Sequence, residues 1–216
     1  MSRASIAKME GSYVPFFLYD YDADAELTAT GTKVRSWTSG DYRYTETSYY
    51  HVEREMDIDF NRIPVDASKK MDDSVMDLLE PYDYAALQNF EEKYMSGFLG
   101  EVYSEDGETL KKRADKKATE DAKTLLRNSV VGYSSVSSEN FQVDLTEKER
   151  NYALLPVWIY DFQYQGKTYQ FHVNGATGKV IGNVPINKGK VWGYGATVLG
   201  ICLAIGYFVR TIAMLL

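Results

Sequence analysis

A continuous apolar segment lies at the C-terminal end of this chain. Residues 191–216 read VWGYGATVLGICLAIGYFVRTIAMLL and contain one charged residue, Arg210. As a helix with a rise of ~1.5 Å per residue, this segment is about 39 Å long, which exceeds the ~30 Å hydrocarbon core of a bilayer. A core helix of a soluble domain rarely runs this far without polar positions. The segment predicts one transmembrane helix over 191–216, preceded by a short linker over 185–190.

The residues beside this segment indicate its orientation. Lys188 and Lys190 precede it, and only Arg210 lies near its far end. The start of the chain has no apolar run of signal-peptide length. Because positive flanks favour the cytoplasmic side, we expect a single-pass protein of the cell membrane whose bulk is cytoplasmic. Trp192 and Tyr194 fit the headgroup level of the bilayer on that side.

Small residues recur every four positions along the predicted membrane helix. Ala196, Gly200 and Ala204 fall on one helical face, where a second helix could approach closely. The pattern is compatible with a homo-oligomer formed through the membrane helix. It is equally compatible with the general abundance of glycine and alanine in membrane helices. Cys202 is the single cysteine of the chain, so neither an intrachain disulfide nor a cysteine zinc site is expected.

Overall charge excludes one class of partner. The chain has 216 residues, 18 tyrosines and a formal net charge of −7. A nucleic-acid surface needs clustered lysine and arginine to displace counterions from phosphates. We therefore expect no nucleic-acid partner for this chain, and look instead to the lipid bilayer and to proteins.

The remaining sequence divides into three parts by its periodicity. Residues 1–66 are predicted to be β-rich, with a hairpin around the polar turn at 38–41. Residues 67–130 form a helical middle segment, with a predicted helix over 71–79, a helix or helix pair over 84–103, and a long helix over 108–128. The long helix carries an apolar stripe of Leu110, Ala114, Ala118, Ala122 and Leu125. Residues 131–184 form a β-meander, with predicted strands over 133–143, 154–164 and 167–173. The fold class is α+β: an antiparallel sheet, a helical middle segment and one C-terminal transmembrane helix, with two β-rich subdomains bridged by helices as the alternative.

An acidic row marks the most distinctive strand. Glu53, Glu55, Asp57 and Asp59 alternate with Val52, Arg54, Met56, Ile58 and Phe60, which predicts one buried and one acidic face. The acidic row is a candidate interaction surface for a basic partner, or a solvated face. Its members lie ~6.5 Å apart along the strand, too far for all of them to bind one cation.

Catalytic and metal motifs are missing from the sequence. The run from Asp20 to Glu26 resembles the start of a calcium loop, but the required glycine and the final glutamate are replaced by Ala25 and Gly31. Neither His51 nor His172 has a nucleophile or metal motif nearby, and no P-loop, GxGxxG, GxSxG or HExxH is present. We predict no catalytic residues, no metal site and no cofactor.

Several structural motifs resemble a known family. They are GSYVPFFLYD (11–20), LEPYDY (79–84), GFL (97–99), LPVW (155–158) and GKTYQFHVNGATGKVIGNVP (166–185). Together they resemble the bacterial TFIIB-type zinc-ribbon-containing membrane proteins, common in Firmicutes, in the region that follows the ribbon. Members carry paired CxxC motifs at the N-terminus, whereas this chain has only Cys202. Zinc binding is therefore not implied for this chain, which is either a region after the ribbon or a variant without it.

The resemblance and the residues lead to a ranked set of functions. The leading hypothesis is a non-enzymatic membrane-anchored scaffold or adaptor whose cytosolic α+β domain binds protein partners. Relatives found beside SPFH-type scaffold proteins imply such a protein as the partner, in membrane organisation or envelope stress. The alternative is a DNA-associated, replication-related protein acting through a ribbon absent from this chain. An enzyme with a site at the acidic cluster is the third hypothesis.

Overall fold

The computed structural model describes residues 5–164, 166–182 and 188–215. In this part of the chain the strands are β1 (Ser5–Ser39), β2 (Tyr42–Asp66), β3 (Leu99–Gly100), β4 (Ser135–Tyr164), β5 (Lys167–Asn174) and β6 (Val180–Gly182). The helices are α1 (Asp73–Leu79), α2 (Gly107–Ser129) and α3 (Lys188–Leu215). The chain divides into two compact units. The large unit comprises Met9–Ile159 and His172–Ile181, and the small unit comprises Met1–Lys8, Tyr160–Phe171 and Gly182–Leu216.

The strands form one sheet in the order β2-β1-β4-β5-β6. β1 and β2 pair antiparallel from Ser39↔Tyr42 to Phe16↔Asp66, and Gly40 takes a positive φ in the two-residue turn between them. β3 pairs in parallel with β1 at Ser12 and Tyr13. The predicted α+β fold with an antiparallel sheet is confirmed in part: the sheet is mostly antiparallel, and β3 is a parallel exception.

β4 differs from the prediction by being continuous over 30 residues. The sequence predicts two strands, over 133–143 and 154–164, because residues between them are polar. In the structure, two of these polar side chains are paired with α2. Glu147 lies 2.6 Å from Lys111, and Arg150 lies 2.8 Å from Glu108. The polar middle of β4 is therefore stabilised as a strand by its pairing with β1 and by these ion pairs, although the local sequence does not favour one.

The apolar pattern along β1 depends on whether helices cover one side of the strand or both. Val14, Phe16 and Leu18 pack in a cluster with Met76 and Leu79 of α1. Tyr19 and Tyr21 face the opposite side and pack against α2. Beyond Tyr21 only the α2 side is covered, so buried Ala23, Ala25, Leu27 and Ala29 alternate with polar residues on the other face. A strand buried on both sides reads as continuously apolar, and one buried on a single side alternates.

Helix α2 confirms the predicted stripe with one correction. Leu110, Ala114, Ala118 and Ala122 are buried, but the fifth member is Leu126, which is fully buried, whereas the predicted Leu125 is 43% exposed. A strict spacing of four residues carries the stripe from 110 to 126 and keeps it over the sheet. Small alanines let the helix backbone approach the strands closely.

Ion pairs join α2 to α1 and to the end of β2. Arg113 lies 2.7 Å from both Asp66 and Asp77, and 3.1 Å from Asp73. Asp66 is 1% exposed. Its burial raises the pKa of the Asp66 carboxyl, an effect that the neighbouring Arg113 partly offsets. Lys117 extends the network with a 2.5 Å contact to Glu80.

The predicted helix or helix pair over 84–103 is wrong. This segment contains two 3₁₀ turns, Tyr84–Ala86 and Glu92–Met95, followed by β3. Phe98 packs instead on the rings of Tyr13 and Trp158, with centroids 4.9 and 5.0 Å away. Pairing with β1 and contacts with two strands override a weak helical periodicity.

Helix α3 contains a stretch, Gly189–Tyr207, that is long and apolar enough to cross a membrane. The helix begins at Lys188, within the predicted linker over 185–190; residues 185–187 of that linker lie outside the described residues. Nothing between Lys188 and Val191 interrupts helical hydrogen bonding, since the nearest proline is Pro185. The side chain of Arg210 also lies outside the described part.

Candidate functional site

The predicted acidic row lies on an open face of the sheet. Glu53, Glu55, Asp57 and Asp59 are exposed on β2, and Met56 and Ile58 between them pack in a cluster with α2. The register of the hairpin places a second row directly opposite on β1. Asp22 faces Asp59, Asp24 faces Asp57, Glu26 faces Glu55, and Thr28 faces Glu53. We call the two rows together, Asp22, Asp24, Glu26, Glu53, Glu55, Asp57 and Asp59, the acidic face.

Three of these cross-strand pairs oppose like charges. Side chains directly opposite in an antiparallel pair have Cβ atoms ~4.5–5.5 Å apart, and like charges there cost up to about 1 kcal/mol per pair. Lys148 compensates one end of the acidic face, with its Nζ 3.0 Å from Asp22 and 3.4 Å from Asp59. At the other end His51 lies 2.9 Å from Glu53.

The centre of the acidic face is uncompensated. Among the described residues, no basic side chain lies within 4 Å of the Asp24–Asp57 or Glu26–Glu55 pairs. In the same part of the chain, no group of three or more histidine, cysteine, aspartate or glutamate side chains is placed to hold a metal ion. The arrangement can attract a basic surface, and it presents several carboxylates at regular spacing.

The sequence alone predicts only the β2 half of this surface. Asp22, Asp24 and Glu26 belong to the run that resembles the start of a calcium loop, whereas in the structure they lie within continuous β1. The two-residue turn at Gly40 and Asp41 is the sequence signal for the other half. Such a turn makes the numbers of facing residues sum to 81, as in 39 and 42 or 24 and 57. Extending that register places both acidic rows together.

Two buried tyrosines of β1, Tyr19 and Tyr21, have raised pKa values because they are removed from water. Burial raises the pKa of Tyr19 to about 12, and its hydroxyl donates a 2.7 Å hydrogen bond to the Gly107 carbonyl. Burial also raises the pKa of Tyr21, whose hydroxyl donates to Asp115 at 2.7 Å. Both hydroxyls join β1 to α2. They stay protonated at neutral pH and stabilise packing.

A cavity that the sequence did not predict lies in the large unit. Its volume is about 790 Å³, between the segment 82–95 and residues 152–156 of β4. The lining is mostly apolar and aromatic; it includes Tyr13, Tyr82, Phe90, Tyr94 and Tyr152. Residues far apart in sequence form it, and no local motif marks them. His172, the second histidine, is buried in the same unit and does not line the cavity.

The small-residue face of α3 lies open in the structure. Ala196, Gly200 and Ala204 are exposed, and a Cβ added to Gly200 would meet nothing within 4 Å. The larger side chains around them are also exposed; Leu199 and Leu203 are 61% and 66% exposed. From Val191 to Tyr207 this helix exposes no charged side chain.

Comparison with known proteins gives one relative. The chain is similar to the uncharacterized protein YdjG of Bacillus subtilis (strain 168), with 37% identity over 191 residues. The match covers 88% of this chain and 56% of that protein, so the chain spans just over half the length of the relative. No protein-family model matches the chain. No solved structure matches it either. Membership of the zinc-ribbon family therefore stays a prediction.

Proposed function

We propose that this protein is a non-enzymatic, membrane-anchored adaptor that holds a basic protein partner on its acidic face. The observation that carries the proposal is the pairing of Asp24 with Asp57 and of Glu26 with Glu55 on an open, uncompensated surface. Each such pair costs folding free energy. A partner with lysine or arginine at matching positions would relieve the repulsion between the facing carboxylates, so binding would be favourable. The negative charge of the acidic face would also speed its association.

Helix α3 supports the membrane part of the proposal. A helix at the core of a soluble domain is mostly buried, whereas none of the stretch Gly189–Tyr207 is buried in the structure. Its exposed Trp192 and Tyr194 suit the headgroup region. In this arrangement the cell membrane holds the protein by a single pass, with the bulk on the cytoplasmic side.

Self-association would give such an adaptor more than one partner site. The open face of Ala196, Gly200 and Ala204 lets a second α3 approach closely, so we include a homo-oligomer within the membrane in the proposal. An SPFH-type scaffold remains the partner implied by the family resemblance. No observation favours the DNA-associated alternative, because the chain carries a net charge of −7 and exposes an acidic surface.

The test compares two charge-matched double variants of the full chain. Glu26→Gln with Glu55→Gln neutralises one facing pair, and Glu91→Gln with Glu92→Gln removes the same charge from exposed residues outside the acidic face. Proteins captured from detergent-solubilised membranes are quantified by mass spectrometry. We expect one or more basic partners to be lost with the first variant and kept with the second. Equal recovery with both variants would refute the proposal.

A further inference from the structure

The small unit contains a hairpin with two chemically opposite faces. It is formed by the end of β4 and the start of β5, from Tyr160 to Phe171. Gln163 donates a side-chain hydrogen bond to Thr168 at 3.2 Å, and Gln170 donates one to Asp161 at 3.1 Å. These contacts place four polar residues on one face of the hairpin. Alternation along each strand places the residues between them on the other face.

That other face consists mainly of aromatic rings. Its described members are Tyr160, Phe162, Tyr164, Lys167, Tyr169 and Phe171, and we call them the aromatic face. The ring of Phe162 contacts those of Tyr164, Tyr169 and Phe171, with centroids 6.2–6.5 Å apart. All five rings remain partly exposed, and Lys167 at the turn is exposed. Aromatic rings that carry tyrosine hydroxyls, with a lysine beside them at the turn, suit the boundary between lipid headgroups and acyl chains.

The chain itself holds this face close to the start of α3. Phe171 packs directly against the backbone of Gly182, the last residue of β6. Six backbone steps separate Gly182 from Lys188, and even fully extended they span at most about 22 Å. The hairpin and α3 also belong to the same compact unit. If α3 crosses a bilayer, the aromatic face is therefore restricted to the neighbourhood of the surface that α3 enters.

We infer that the aromatic face of residues 160–171 docks on the surface of the phospholipid bilayer, as a second membrane contact beside α3. The inference rests on the proposed membrane anchoring of α3. The tyrosine hydroxyls and Lys167 would face headgroups, and the phenylalanine rings would reach the acyl boundary. Such a contact orients the hairpin relative to the membrane, which a single helix cannot do alone because it leaves rotation free.

The experiment measures the lipid depth of fluorescent labels on the full chain. In a Cys202→Ala background, single cysteines replace Tyr169 on the aromatic face, Thr168 on the polar face and Ala204 within α3. Each variant is labelled with NBD and reconstituted in vesicles of phosphatidylcholine and phosphatidylglycerol at 3:1, with and without lipids that carry a nitroxide at acyl carbon 5. The pair Phe162→Cys and Gln163→Cys repeats the comparison on the other strand.

We expect the nitroxide lipid to quench the label at 169 at least about twofold more strongly than the label at 168, because only the aromatic face reaches the acyl boundary. The pair 162 and 163 should differ in the same direction. Equal, weak quenching within both pairs, with strong quenching at 204, would overturn this inference and leave the membrane anchor intact. A label at 204 without quenching would instead overturn the proposed anchor.

Discussion

Replacing Arg113 with methionine should destabilise the protein far more than replacing its partner Asp66 with asparagine. Asp66 is 1% exposed, and the Arg113 side chain, 19% exposed, lies 2.7 Å from it. Removing one partner of a buried ion pair leaves an uncompensated charge and costs about 3–5 kcal/mol. Arg113→Met also leaves Asp73 without its cation, whereas Asp77 keeps Lys117 at 3.2 Å. We therefore expect a loss of about 3 kcal/mol or more, a large part of a typical stability of about 5–15 kcal/mol.

Asp66→Asn removes the charge that burial disfavours. Because burial raises the pKa of Asp66 despite the neighbouring Arg113, the ionised form of Asp66 destabilises the folded state. Arg113 keeps Asp77 and Asp73 as partners. We expect a change within about 1 kcal/mol, and we expect the double variant to recover at least about half of the loss caused by Arg113→Met.

The assay is urea unfolding of the full chain in detergent micelles, followed by circular dichroism at 222 nm. Below its folded pKa, Asp66 is protonated and needs no cation, so the cost of Arg113→Met relative to wild type should shrink as the pH falls toward the folded pKa. Equal losses for the two single variants, or no recovery in the double variant, would refute the argument that desolvation of Asp66 dominates this network.

Three further predictions follow from packing, ionisation and the membrane helix. Leu126→Ala should cost about 2–5 kcal/mol in the same urea assay and Leu125→Ala less than about 1, because only Leu126 is fully buried. The unfolded chain releases the Tyr19 proton near pH 10, whereas burial raises the pKa of Tyr19 in the folded state to about 12, so stability should fall as the pH rises from 10 to 12. Tyr19→Phe should weaken that fall, measured as urea midpoints against pH; an unchanged slope would contradict it. Gly200→Leu should reduce energy transfer between labelled chains in vesicles, because it blocks close approach at the face of small residues on α3. Val198→Leu, on the far side of α3, should not reduce it. Equal energy transfer in the two variants would show that the chains do not associate through the face of Gly200.

Local sequence determines much of this structure because the relevant interactions are short-ranged. The apolar length of α3, the four-residue stripe of α2 and the turn at Gly40–Asp41 each follow from spacing along the chain. The turn also sets the register of the hairpin, and therefore the pairing of Asp24 with Asp57. The error at Leu125 arises because two adjacent leucines satisfy the helical pattern about equally, and only contact with the sheet selects Leu126.

Other features depend on which distant segments meet. The segment 84–103 has apolar residues at helical spacing, yet Leu99 pairs with Ser12 and Phe98 packs between two strands, which a helix would not allow. The polar middle of β4 is a strand because β1 and α2 supply its partners. The cavity beside β4 and the burial of Asp66 against Arg113 are likewise products of packing. Consecutive or alternating residues specify the membrane-length helix and the acidic strand, and the turn at Gly40–Asp41 sets which acids face one another across the hairpin. Which charges are removed from water depends on the tertiary fold, because the burial of Asp66 requires contacts between residues far apart in the chain.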